Sequence, residues 1–219
     1  MRSAISKRIL FRGLVLSAVI TLLAGVGTAQ TSAQAAAARE YRRLVNLSTA
    51  LGKIPFNKRD KEPHRSFLKR NDKDIVYSEP AGEWYVRSGR FWDLQKKYKR
   101  LVIADQIAWT AAENPLPGEC EGYVNCYLFN IRSTYGEYLT LYKRGTYSRK
   151  ALQKTAEFLT YMTNDAASAK KNYEGPTDAS DRAEFARIIK ELRDIVTPLS
   201  QPEKKKILSQ LKVIEEAYK

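Results

Sequence analysis

The stretch Asp178–Lys219 reads DASDRAEFARIIKELRDIVTPLSQPEKKKILSQLKVIEEAYK, and its apolar spacing decides the fold. Phe185, Ile189, Leu192 and Val196 recur every three or four residues, the period of one helical face. Asp178 or Ser180 is placed to cap this helix, because a short polar side chain accepts from a first-turn amide. Ile207, Leu211, Ile214 and Tyr218 mark a second helix. It opens on Ser200-Gln201-Pro202-Glu203, a capping box: the Ser200 hydroxyl accepts from the Glu203 amide and the Glu203 carboxylate reaches back to the Ser200 amide. Pro202 is tolerated there because first-turn amides have no intrahelical partner to lose. The short Thr197–Ser200 link forces the two helices antiparallel.

The same period continues toward the N-terminus. A helix from about Ser148 to Lys171 turns Leu152, Thr155, Leu159 and Met162 inward, and Gly175-Pro176 breaks it. Before it, Val124, Tyr127, Ile131, Tyr135, Tyr138 and Tyr142 share one face, and Gly145 marks the end. A first long helix carries Phe91, Leu94, Tyr98, Leu101, Ala104, Ala108 and Ala111, and stops at Asn114-Pro115 because a residue before proline avoids the α region. Five helices joined by short links predict an all-α fold, a bundle or stack of antiparallel helical hairpins.

Ahead of the helices, Ile75-Val76-Tyr77 and Trp84-Tyr85-Val86 flank Pro80 and Gly82. They predict a small β-hairpin near residues 75–86, with Trp84 or Tyr85 packed on the helices. Ala37–Leu51 predicts a short helix, with Tyr41, Leu44 and Leu47 or Leu51 inward and Gly52 as its stop; 30–36 reads as a frayed terminus. Lys53–Lys73 holds eight Lys/Arg against three acids and two prolines, the composition of an exposed, flexible basic linker.

Residues 1–29 read as a secretory signal peptide. Arg2, Lys7, Arg8 and Arg12 precede an apolar run from Leu14 to Val26, and Gly27-Thr28-Ala29 supplies an A-x-A-like cleavage site. The run is too short for a membrane span of ~20 residues. The expected organisation is therefore 1–29 signal peptide, 30–73 short helix and basic linker, and 74–219 helical domain with its leading hairpin. An exported, periplasmic or extracellular location follows, with no transmembrane span in the mature chain. Cleavage leaves 34 Lys/Arg against 24 Asp/Glu, about +10. That charge favours an anionic partner, and export makes nucleic acid the least favoured of them.

Cys120 and Cys126 are an even pair in an exported chain, so a disulfide is expected. In one continuous helix their Cα atoms would lie about 9 Å apart, beyond the 4.4–6.8 Å, roughly, that a disulfide spans. Cys120 is therefore expected in a loop, with the helix starting at about Gly122 or Tyr123. His64, the single histidine, stands in the basic linker and reads as a solvated loop residue. One histidine and a disulfide pair leave too few ligands for zinc. Glu113, Glu119 and Glu121 cluster near Pro115–Gly118, and Glu137 follows on the next helix, so a glycan-cleaving carboxylate pair is the enzymatic alternative. The tyrosine stripe reads as a helix interface.

One segment, Tyr138-Leu139-Thr140-Leu141-Tyr142-Lys143-Arg144-Gly145-Thr146-Tyr147-Ser148-Arg149-Lys150-Ala151, resembles the inter-helix turn of tetratricopeptide-like repeats in exported bacterial envelope proteins. Tyr142, Gly145, Tyr147 and Ala151 match that pattern, and Lys143 stands where it has proline. The match covers one repeat, and what it implies is helical-hairpin architecture and protein–protein binding in the envelope. Leu116-Pro117-Gly118-Glu119-Cys120-Glu121-Gly122 is also similar to a stretch of secreted bacterial proteins, which implies no activity.

The reading is an exported, non-enzymatic helical binding or scaffold protein acting on a protein partner or an anionic envelope polymer, with a small cell-envelope hydrolase as the alternative. No catalytic residue, cofactor or metal is assigned. The candidate contact residues are Lys58, Arg59, Arg65, Lys69, Arg70 and Trp84, with the loop around Pro117–Cys126 as a second surface.

Overall fold

Apolar residues at helical spacing must find partners, and in this chain they sort into two clusters that share one wall. The computed structural model describes residues 31–118, 120–168 and 171–218. The expected signal peptide at 1–29 lies outside the described residues.

The structure is mostly helical with one small β-hairpin, as the apolar spacing predicts. In chain order it comprises α1 (31–51), a 3-10 turn (Phe56–Lys58), α2 (His64–Arg70), β1 (Ile75–Ser78), β2 (Glu83–Val86), α3 (Ser88–Lys97), α4 (Ile103–Glu113), α5 (Val124–Ile131), a π-helical turn (Arg132–Gly136), α6 (Glu137–Leu141), α7 (Ser148–Ala166), α8 (Ala179–Val196) and α9 (Glu203–Tyr218). The strands pair antiparallel, Ile75 opposite Val86 and Tyr77 opposite Trp84.

Helix α4 is the shared wall. Ile107 and Ala111 face Leu44, Leu47, Leu68, Ile75, Phe91 and Leu94 in the N-terminal cluster. Ala108 and Ala112 face Leu128, Leu152, Leu159, Leu192, Ile207 and Leu211 in the C-terminal one. Alanines keep the α4 backbone close to both neighbours, as ordinary close packing demands.

The C-terminal helices pack up-down-up. The Asp178 carboxylate caps α8 by accepting from the Asp181 amide at 2.9 Å. Arg149 pairs with Glu203 at one end of α7 and α9, Gln210 reaches the Ala156 carbonyl midway, and Tyr218 reaches Asp165 at the other end. These two helices therefore run parallel, with α8 returning between their ends. Neither bond of the capping box expected at Ser200 is found among the described residues. The Glu203 carboxylate accepts from Arg149 and Gln153 instead of reaching back to Ser200, because an ion pair across two helices outbids a local bond.

Other departures from expectation have local causes. The long helix from Phe91 breaks at Tyr98–Val102 into α3 and α4, leaving Val102 88% exposed. Lys96, Lys97, Lys99 and Arg100 repel at helical spacing, and folding α3 back on α4 brings Phe91 and Leu94 onto the same core as Ile107. Helix α7 stops at Ala166, short of Lys171. The stretch 31–36, expected frayed, is helical, in keeping with its alanines and the complete burial of Ala37. Lys53–Lys73, expected as a flexible linker, carries the 3-10 turn and α2, because Leu68 supplies an apolar anchor into the N-terminal cluster.

Candidate functional site

Arg59 is the residue around which the most suggestive cleft is built. The 3-10 turn Phe56–Lys58 delivers it to the face of the hairpin, half-buried. Its guanidinium carbon lies 4.2 Å from the Phe56 ring centroid and 4.8 Å from that of Tyr77, whose hydroxyl accepts one of its N–H groups. The Tyr77 and Trp84 rings sit 5.3 Å apart across the strand pair. Between the 51–59 segment and the hairpin turn lies a cleft of about 380 Å³, lined on one side by Ile54, Phe56 and Arg59 and on the other by Glu79, Gly82, Glu83 and Trp84. Gly82 turns the hairpin at φ 67°. The Trp84 indole N–H is buried without an acceptor, a condition that native proteins largely avoid.

Of the six candidate contact residues, Arg59 and Trp84 are therefore brought together. Lys58 is exposed beside Arg59 in the chain. Arg65, Lys69 and Arg70 stand exposed on α2, where Arg65 pairs with Glu62 at 3.1 Å while Lys69 and Arg70 make no ion pair among the described residues. Phe56 and Tyr77, the walls that hold Arg59, were not singled out from sequence; Phe56, an aromatic in a polar run that stays 65% exposed, was the available signal.

The basic charge is concentrated in this lobe. Residues 31–102 carry 17 Lys/Arg against 8 Asp/Glu, whereas residues 103–219 carry 17 against 16. One of the eight acids, Asp74, is already neutralised: it accepts from Arg43 at 2.7 Å and Arg90 at 2.6 Å, tying α1 to α3. Burial pushes its carboxyl up, but the two guanidiniums outweigh this and hold it below the usual range.

A second concavity, about 220 Å³ and mainly apolar, opens under the disulfide loop. Cys120 and Cys126 are bonded with Cα atoms 5.4 Å apart, and α5 starts at Val124, as the spacing argument requires. Glu121 and Gly122 turn the chain at φ 47° and 84°, and a Cβ on Gly122 would sit 2.8 Å from the Asn172 carbonyl oxygen. Pro117, Ile131, Tyr135 and Phe158 line the pocket with Leu116, and Leu116 and Phe158 are 42% and 48% exposed.

Of the carboxylates of the glycan-cleaving alternative, Glu113 and Glu137 are engaged, each in a different place. Glu113 accepts from the Tyr135 hydroxyl at 2.9 Å, and this phenol is pushed up by burial and by that bond. Glu137 accepts from Arg132 at 2.9 Å in a separate groove of about 600 Å³, where Arg132 also binds Glu191 at 2.8 Å. Glu121 lies in the disulfide turn, and Glu119 is outside the described residues. His64 opens α2, half-buried, instead of standing in a loop. Among the described residues no three His, Cys, Asp or Glu side chains gather as a metal site, and no helix is long and apolar enough to cross a membrane.

The tyrosine stripe and the turn at 142–147 form a packed joint. Tyr138 is fully buried; its hydroxyl donates to Asp105 at 2.5 Å and accepts from the Tyr147 amide at 3.0 Å. Asp105 also accepts from the Thr146 amide, and Trp109 stacks on Tyr147 at 5.1 Å. A Cβ on Gly145 would meet the Tyr138 hydroxyl at 2.5 Å, so only glycine fits. Comparison with known proteins finds no family model, no curated protein and no solved structure that matches this chain.

Proposed function

We propose that this is an exported, non-enzymatic helical protein that binds an anionic polymer of the cell envelope through its basic N-terminal lobe. The observation that carries the reading is the charge asymmetry: nearly all of the mature chain's excess of Lys/Arg falls in residues 31–102, with Lys58, Lys69 and Arg70 exposed and unpaired among the described residues. A face of this kind attracts polyanions through counterion-sensitive electrostatics. Glu113 and Glu137, tied to a phenol and a guanidinium, support binding over turnover.

The test is binding to immobilised polyuronate and to anionic lipid vesicles across a salt series. Affinity for at least one should fall steeply as salt rises, and Lys58→Gln with Lys69→Gln and Arg70→Gln should flatten that dependence. Salt-insensitive binding, or none, refutes the reading. Release of reducing ends from cell-wall material, abolished by Glu121→Gln, would replace it with the hydrolase alternative.

One observation favours a second reading, a protein-binding scaffold of the tetratricopeptide-like kind. The apolar pocket under the disulfide loop has the exposed side chains of Leu116 and Phe158 at its rim, the character of a partner-docking surface. A discrete protein retained from envelope extract at high salt and lost on Leu116→Asp would support it.

A further inference from the structure

The cleft between the 3-10 turn and the hairpin is more selective than a basic face. Three of its properties restrict what it can hold. Arg59 is held in place before any ligand arrives: Phe56 and Tyr77 flank its guanidinium, and the Tyr77 hydroxyl occupies one N–H. Its remaining N–H groups form a fork of fixed orientation, suited to a planar carboxylate. Its ion pair with Asp60 is long, 3.9 Å, to a carboxylate 93% exposed, and leaves that fork free.

The second property is the Trp84 ring, which lines the cleft and is held against the Tyr77 ring at 5.3 Å. It offers an apolar face on which a sugar ring can lie. The third is the pair of acids on the hairpin turn, Glu79 and Glu83. They repel a densely charged chain and accept from hydroxyl groups. A ligand that satisfies all three has one carboxylate for Arg59, hydroxyls for the acids, and apolar ring faces for Phe56 and Trp84. Aromatic side chains provide such platforms, and about 380 Å³ is within the range of small-ligand sites. Phosphate- or sulfate-dense polymers meet the first requirement and fail the third.

We infer that this cleft is a saccharide subsite for a carboxylate-bearing sugar unit, with Arg59 pairing the carboxylate and Phe56 and Trp84 holding the ring faces. The inference rests on the anionic-polymer reading and names the unit that is recognised within the polymer.

The test uses a uronic acid trisaccharide, its fully methyl-esterified form, and an N-acetylated tripeptide with a free C-terminal carboxylate. Binding to the purified protein is measured by calorimetry and by ¹H–¹⁵N spectra of the tryptophan indoles, with Trp84 assigned from Trp84→Phe. The uronate should bind at least tenfold more tightly than its ester and shift the Trp84 indole resonance. Arg59→Gln and Phe56→Ala, both at partly or fully exposed positions, should each weaken it tenfold or more with the circular dichroism spectrum unchanged. The Lys58, Lys69 and Arg70 triple variant should weaken trisaccharide binding less than Arg59→Gln alone does. Equal binding of the ester, no effect of Arg59→Gln, or binding of the tripeptide alone overturns the inference. If long polyuronate then still binds in a manner lost in the triple variant, the anionic-polymer reading survives without the cleft; if neither binds, both fall.

Discussion

Asp165 offers the sharpest test of how the C-terminal helices are held. It lies at the end of α7, buried, and gathers four donors: the Asn172 amide at 2.6 Å, the Asn172 side chain at 2.8 Å, the Tyr173 amide at 3.0 Å and the Tyr218 hydroxyl at 2.8 Å. Burial alone would raise its pKa. The Asn172 amide, the Tyr218 hydroxyl and the Tyr173 amide stabilise the anion more, so the folded carboxyl sits below its ordinary 3.8. A depressed folded pKa contributes stability above the unfolded value and loses it as pH falls through the folded one.

Asp165→Asn keeps the shape and removes the charge. The exposed Asn172 donors can turn to water, whereas the Tyr218 hydroxyl is buried and retains only a neutral acceptor. With charge-assisted bonds worth about 1.5–3 kcal/mol each and the solvent-reachable ones largely replaced, the expected loss is about 3 kcal/mol at pH 7. Tyr218→Phe should remove roughly half of that. Urea unfolding, followed by circular dichroism between pH 7 and 2, measures the gap between wild type and Asp165→Asn. The gap should hold above pH about 4 and narrow below it. Other acids titrate in both proteins and cancel. A gap that is constant over the whole range, or below about 1 kcal/mol at pH 7, would refute the assignment of Asp165 as an ionised anchor.

Two further outcomes are expected. Gly145→Ala should cost about 2–3 kcal/mol in urea unfolding, because its methyl group would lie within 3 Å of Tyr138, Tyr142 and Asp105 atoms; a loss under 0.5 kcal/mol, the scale of an ordinary surface change, would show that the joint yields. Ultraviolet titration of the phenols should place Tyr123 near pH 12, raised by burial and then by Asp181, so Tyr123→Phe should remove one late-ionising step.

The local chemistry was legible because it depends on neighbours in sequence. The helical stripes of α7, α8 and α9, the hairpin around Pro80 and Gly82, the Asp178 cap and the placement of Cys120 in a loop all follow from period, turn residues and covalent reach. The break between α3 and α4 left no glycine or proline to read; its cause is that Phe91 and Ile107 need the same core. The π-helical turn at Arg132–Gly136 likewise has no sequence signature, and it accompanies the placement of Arg132 between Glu137 and Glu191, residues far apart in the chain.

The candidate site divides in the same way. Sequence alone determined that the chain is strongly basic and that Arg59 and Trp84 are candidate contact residues, since charge and residue type need no fold. Only the tertiary structure decided that these two line one cleft, that Phe56 and Tyr77 grip the guanidinium, and that Lys69 and Arg70 stay outside. Proximity across 25 residues depends on how α2 and the hairpin pack against α1 and α4, and packing is a property of all the buried surfaces together rather than of any one segment.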